Sequence, residues 1–212
     1  METEQGKTLK QMQAEGRAYS EAHGWYDIPR TWKEEIALLH SEASEALDAF
    51  RQWGTDDVTK LQVRGCRSVM PLDGPHAACE HGQEWNVCTA ESPLPKPEGV
   101  GSELADVLIR LLDTCERHGI DIEEGGNSVG WAEPVFDDWP FGDMITELHG
   151  AIHRFGITDL TDSSRDRNRY AALVYGHTRA ICEAVGIDLD EEYERKYAFN
   201  LTRPYRHGNK RL

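Results

Sequence analysis

Between Thr31 and Trp53 the sequence TWKEEIALLHSEASEALDAFRQW sets Ile36, Leu39, Ala43, Ala46, Leu47 and Phe50 at three- and four-residue intervals. That spacing gathers the apolar side chains on one stripe of an α-helix. Thr31 followed by Glu34 reads as a capping box, which satisfies backbone N–H groups left open by the first turn. Gly54 ends the segment. The same period returns from Ser102 to about His118, with Leu104, Val107, Leu108, Leu111, Leu112 and Cys115 as the core face. Helical patterns also cover about Lys7 to His23, Phe141 to Phe155, Asn168 to Val185 and Leu189 to Leu201. A single-striped helix must bury that stripe against another element. With strand signals scarce, the expected class is all-α, a helical bundle forming one domain over residues 1–212.

Two stretches interrupt the helices. Residues 55–101 contain MPLDGPHAACEHG and ESPLPKPEG and read as a long ordered loop, with Val58 to Val63 a short strand or a helical turn. Gly125 to Pro140 reads as a Gly/Trp/Pro connector. The chain also resembles itself. An offset of 67 lays Ala105, Val107, Cys115, Glu116 and Gly119-Ile120-Asp121 on Ala172, Val174, Cys182, Glu183 and Gly186-Ile187-Asp188. An offset of 109 lays Ile36 and Leu39-His40 on Ile145 and Leu148-His149. The organisation expected is a first set of helices in 1–124 with the inserted loop, a degenerate repeat in 125–188, and a C-terminal helix and tail in 189–212. Such a repeat is expected to pack on the first helix pair as an intrachain pseudo-dimer, the alternative being a homodimer.

The net charge of −15 argues against a nucleic-acid footprint, which needs exposed cations to displace counterions. A small anionic ligand remains compatible, because divalent cations can bridge carboxylates to phosphates. No apolar run approaches the roughly 20 residues that span a bilayer, so no membrane partner is expected. METEQGKTLK lacks the apolar stretch of a signal peptide, and five cysteines without one suggest a reducing, cytoplasmic setting.

Two acidic pairs carry the chemistry. At about 100° per residue, Glu42 and Glu45 lie roughly 60° apart on one helix, flanking its apolar stripe, with Leu38 between them. Glu103 and Asp106 repeat the arrangement on the second helix, beside Ile109. An E-x-x-E helix is more often a solvated face. Packing the two stripes antiparallel, however, would bring four carboxylates to one edge of the bundle. Unpaired, they would repel; a hard divalent cation such as Mg²⁺ relieves that repulsion through oxygen ligands.

Taken together, GWYDIPRTWKEEIALLHSEASEALDAFR, KPEGVGSELADVLIRLLDTCERHGIDIEE and KYAFNLTRPYRHGNKRL resemble the MazG-like branch of the all-α nucleoside triphosphate pyrophosphohydrolases, especially phage and bacterial forms. The resemblance implies that Glu42, Glu45, Glu103 and Asp106 hold Mg²⁺. It also implies that Lys196, Asn200 and Arg203, in a K-x-x-x-N-x-x-R pattern, reach the triphosphate. The expected reaction is hydrolysis between the α- and β-phosphates to a monophosphate and pyrophosphate, with Glu45 accepting the proton. This sequence departs from the family in its long 55–101 loop and in the seventy or so residues between its GID segment and the K-x-x-x-N helix. Trp25, Trp32, Trp53 and Trp85 are candidates to stack on a base, although buried tryptophans are more often core.

The 55–101 loop gathers Cys66, His76, Cys79, His81 and Cys88. Cys66, Cys79, His81 and Cys88 make a possible tetrahedral zinc set, with His76 as a substitute and free thiols as the alternative. Two other functions compete with hydrolysis. One is a di-metal carboxylate bundle, which usually carries Glu-x-x-His motifs absent here. The other is a catalytically silent nucleotide- or partner-binding module.

Overall fold

The computed structural model describes residues 7–27, 29–54, 60–62, 69–71, 96–129, 134–160, 163–203 and 205. Seven α-helices occur among them: α1 (Leu9–Ala22), α2 (Trp32–Trp53), α3 (Val100–His118), α4 (Ile122–Val129), α5 (Phe141–Gly156), α6 (Ser164–Ala184) and α7 (Leu189–Leu201). A 3₁₀ turn, Ile157–Leu160, follows α5. The class is all-α, as the periodicity indicates. Local capping agrees as well: the Thr31 side chain accepts from Glu34 N–H while the Glu34 side chain accepts from Thr31 N–H.

The loop expected over 55–101 contributes a small sheet. Strands β1 (Lys60–Gln62), β2 (Val69–Pro71) and β3 (Lys96–Glu98) pair antiparallel in the order β2-β1-β3, with Leu61 opposite both Met70 and Pro97. Of the two readings of Val58 to Val63, the strand is the one found at the described residues Lys60–Gln62. Cys66, His76, Cys79, His81, Trp85 and Cys88 lie outside the described residues. No helix among the described residues is long and apolar enough to cross a membrane.

The core is built around α3, which packs against α1, α2, α6 and α7, while α2 also packs on α5 and α5 on α6. Leu104, Val107, Leu108, Leu111, Leu112 and Cys115 are all fully buried along the expected stripe. At the end of the bundle away from the acidic pairs, Glu35 joins α2 to α3 through Arg117 (2.9 Å) and His118 (2.7 Å).

The second helix pair packs on the first within the same chain, and its contacts obey the sequence offsets. His40 and His149, equivalent at an offset of 109, meet ring to ring, with Nδ1 atoms 2.8 Å apart. Further contacts follow the offset of 67. Helix α4 packs on α6 as α7 packs on α3, so each pair receives the helix that follows the other. Gly119 and Gly186 both adopt left-handed φ (64° and 73°), which favours glycine. Behind them, Ile120 N–H and Ile187 N–H each reach back 2.8 Å to the carbonyls of Cys115 and Cys182.

One expected connector begins inside a helix. Gly125 to Pro140 was read as irregular, but α4 occupies Ile122–Val129 and includes Gly125 and Gly126. A glycine costs a helix about 1 kcal/mol relative to alanine, and tertiary contact outweighs that cost here. A Cβ on Gly125 would lie 2.0 Å from the Asn168 carbonyl oxygen, so only glycine lets α4 approach α6 this closely. The 67-residue offset carries Gly125 to Glu192 and Gly101 to Asn168. Correspondingly, a Cβ on Gly101 would lie 2.8 Å from Glu192 Cγ. Each interlock thus has a glycine on one side, and the two interlocks place it on opposite partners.

Candidate metal centre and substrate cavity

Helices α2 and α3 bring three of the four acids together. Glu42, Glu103 and Asp106 each offer a carboxylate oxygen, and these oxygens lie within 4.8 Å of one another. Glu42 and Glu103 are only 8% and 6% exposed, because each flanks an apolar stripe that is itself buried. Glu45 stands apart from this trio. It is exposed, lines the same cavity, and accepts a hydrogen bond from Ser41 Oγ at 3.4 Å.

The cavity has a volume of about 250 Å³ and is lined by five carboxylates (Glu42, Glu45, Glu103, Asp106, Asp113) and four basic residues (Lys96, Arg110, Lys196, Arg203). Helix α7, distant in sequence, and the turn after it deliver Lys196, Asn200 and Arg203 to it because α7 packs on α3. The seventy residues before the K-x-x-x-N helix are therefore spanned by packing. Trp25 reaches the cavity from the turn ending α1, where its N–H bonds the Ser20 carbonyl at 2.9 Å.

Lys196 is 1% exposed, with Nζ 2.7 Å from Asp106 Oδ2 and donating to Ser102 Oγ at 2.7 Å. Ser102 in turn donates to the Pro97 carbonyl on β3 (2.9 Å). Burial alone would lower the Lys196 pKa, but Asp106 and Glu103 reverse the effect and raise it. On the other side of the trio, Arg110 Nε donates to Glu42 Oε1 at 3.1 Å. Asn200 accepts from Arg203 Nη1 at 3.3 Å.

These two basic partners do not fully compensate three carboxylates. Burial, with Asp106 adding to it, pushes the Glu103 carboxyl up to about 7 although Lys196 acts in the opposite direction. Burial and then Asp106 also raise Glu42, against Arg110. An oxygen-only, electron-rich set of this kind fits a hard divalent cation such as Mg²⁺. Lys196 and Arg110 each engage one carboxylate oxygen, and a carboxylate has a second to offer. No histidine joins the trio among the described residues.

The other tryptophans have different places. Trp32 packs edge-on against Phe155 and His118 and donates to the Gly156 carbonyl (2.7 Å), and Trp53 packs on the core. Trp25 remains as the described tryptophan lining the cavity. Sequence reading did not single out Arg110, Lys96 or Ser102. For Arg110 a signal was present: it follows Asp106 by four residues, on the same face of α3.

Comparison of the chain with protein-family models, curated proteins and solved structures gives no match. Fold and site define a helical bundle with a candidate carboxylate metal centre in a mixed-charge cavity.

Proposed function

We propose that the chain is a Mg²⁺-dependent nucleoside triphosphate pyrophosphohydrolase of the MazG-like type, acting on nucleotide pools. The supporting observation is the meeting of Glu42, Glu103 and Asp106 within 4.8 Å in a cavity that also holds Lys96, Arg110, Lys196 and Arg203. Carboxylates alone would repel a polyphosphate, and cations alone would not hold a metal; together they suit a metal-nucleotide complex. When bound, Mg²⁺ would supply charge neutralisation at phosphate oxygens and a lowered water pKa.

In this reading Glu42, Glu103 and Asp106 hold the ion. Glu45, exposed at the edge and outside the trio, accepts the proton of the attacking water. Lys196 acts from a fixed position, since its two 2.7 Å contacts leave the ammonium little freedom. Lys196 and Arg203 then offset charge on the leaving pyrophosphate, and Asn200 lines the same wall of the cavity. Trp25 offers an aromatic face to the base.

The test is release of pyrophosphate and nucleoside monophosphate over a panel of ribo- and deoxyribonucleoside triphosphates with Mg²⁺. Turnover lost with EDTA and restored by Mg²⁺ is the expected result. Binding of triphosphates without turnover would favour the silent module. That alternative draws on the same ion pairs, Lys196–Asp106 and Arg110–Glu42, which neutralise part of the trio internally.

A further inference from the structure

The two cations that touch the acidic trio differ in how firmly they are held. Lys196 is buried and bonded on two sides, to Asp106 and Ser102. Arg110 has a side chain 27% exposed and a single hydrogen bond among the described residues, from Nε to Glu42. Its remaining N–H donors carry no such bond. The guanidinium carbon also lies 5.3 Å from the centroid of the Trp25 ring, so one side chain touches both the acidic trio and the aromatic wall.

Resting on the metal-centre reading above, we infer that Arg110 competes with the metal for Glu42 and couples metal binding to triphosphate binding. A divalent cation approaching Glu42 meets a guanidinium that already uses one of its oxygens. The cation therefore weakens the Arg110–Glu42 pair, and Arg110 in turn weakens cation binding. A guanidinium released from Glu42 keeps five donors in a fixed fork, the geometry that suits phosphate oxygens. A triphosphate in the cavity favours the released arginine and so removes the competitor. By linkage, each ligand then tightens the other. Lys196 cannot play this part, because its ammonium is fixed by Ser102. Arg110 thus acts on the metal through Glu42 and on the triphosphate through its own donors.

The experiment titrates Mn²⁺, followed calorimetrically and by electron paramagnetic resonance, into wild-type protein and into R110Q, R110M and R110K. Each titration is run with and without an α,β-imido nucleoside triphosphate. The expected result is that R110Q and R110M bind Mn²⁺ alone about five-fold tighter than wild type, the scale of a partly exposed ion pair. The analogue, whose phosphates also hold the ion, should tighten Mn²⁺ binding in every protein, and by about five-fold more in wild type than in these two variants. R110K, which keeps the charge, should restore wild-type Mn²⁺ affinity. R110M retains most of the side-chain stem and guards against a loss of packing in R110Q. Equal or weaker Mn²⁺ binding by both neutral variants overturns the inference. If no protein binds Mn²⁺, the metal centre falls and this inference with it. If the titrations behave as expected but no pyrophosphate is released from any triphosphate, the coupling stands and the hydrolase reading fails.

Discussion

Where α2 carries Glu42 at the flank of its stripe, α5 carries Ala151, fully buried at the equivalent position. Where α2 has Glu45, α5 has the exposed Arg154, and Tyr170 and Leu173 of α6 replace Glu103 and Asp106 of α3. Yet both pairs bury the same stripes, end α3 and α6 with the same glycine turn, and interlock through Gly125–Asn168 and Gly101–Glu192. The comparison shows that packing and chemistry are written in different positions of these helices. Centre-of-stripe residues decide how helices meet, whereas flank residues are open to acids in one pair and to Ala151, Arg154, Tyr170 and Leu173 in the other. The second pair packs on the first, and α7 adds Lys196 to the Arg110 that α3 itself supplies.

The hardest test of the contrast is to remove the acids. Glu103→Gln or Glu42→Gln should lower pyrophosphate release by about a thousand-fold, as expected when a preorganised charge contact is lost. Helical circular dichroism should stay unchanged, because these side chains contribute little packing. Activity near wild type in either variant would remove the trio from the site. Lys196→Ala should cost less, about a hundred-fold, since one electrostatic contact is lost rather than a ligand.

The reverse exchange places an acid where the scaffold has none. Ala151→Glu puts a carboxylate into a fully buried position without the basic partner Glu42 has in Arg110. It should destabilise the fold by about 3–5 kcal/mol in urea titrations, and a change below about 1 kcal/mol would show the two flanks to be interchangeable.

The interlocks can be broken separately. Gly125→Ala should destabilise by about 2 kcal/mol, because the new Cβ meets backbone at 2.0 Å and the helices must separate. Gly150→Ala, in the middle of α5 with nothing within 4 Å of the added carbon, should stabilise by up to about 1 kcal/mol. If both substitutions act alike in thermal unfolding, close approach is not why α4 keeps its glycine.

A further expected effect is a pH dependence carried by Glu103. Glu103 titrates near 7 in the fold and near 4.5 as a reference carboxyl. The folded value is the higher one, so this group favours the folded, metal-free protein fully below about pH 4.5 and progressively less as pH rises through 7. The stability of wild type relative to Glu103→Gln should therefore fall across that window, measured by urea unfolding in EDTA. A constant difference from pH 4.5 to 8 would show that Glu103 is not held protonated by its surroundings.

The sequence by itself determined the helices, their caps and their buried stripes, because these depend on residues three and four positions apart. Thr31 with Glu34, the stripe from Leu104 to Cys115, and the stop at Gly54 could each be read locally. The flank positions of Glu42, Glu103 and Asp106 could be read the same way, and so could the offsets that relate the two helix pairs. Local spacing did not show that α4 is a helix, since its two glycines lower intrinsic propensity and only the approach of Asn168 makes them necessary. Nor could it show that Glu45 stays outside the trio, that Lys196 is fixed between Asp106 and Ser102, or that Arg110 engages Glu42. Those contacts join α2, α3 and α7 across long stretches of chain. The packing of α2 and α7 on α3 sets those distances.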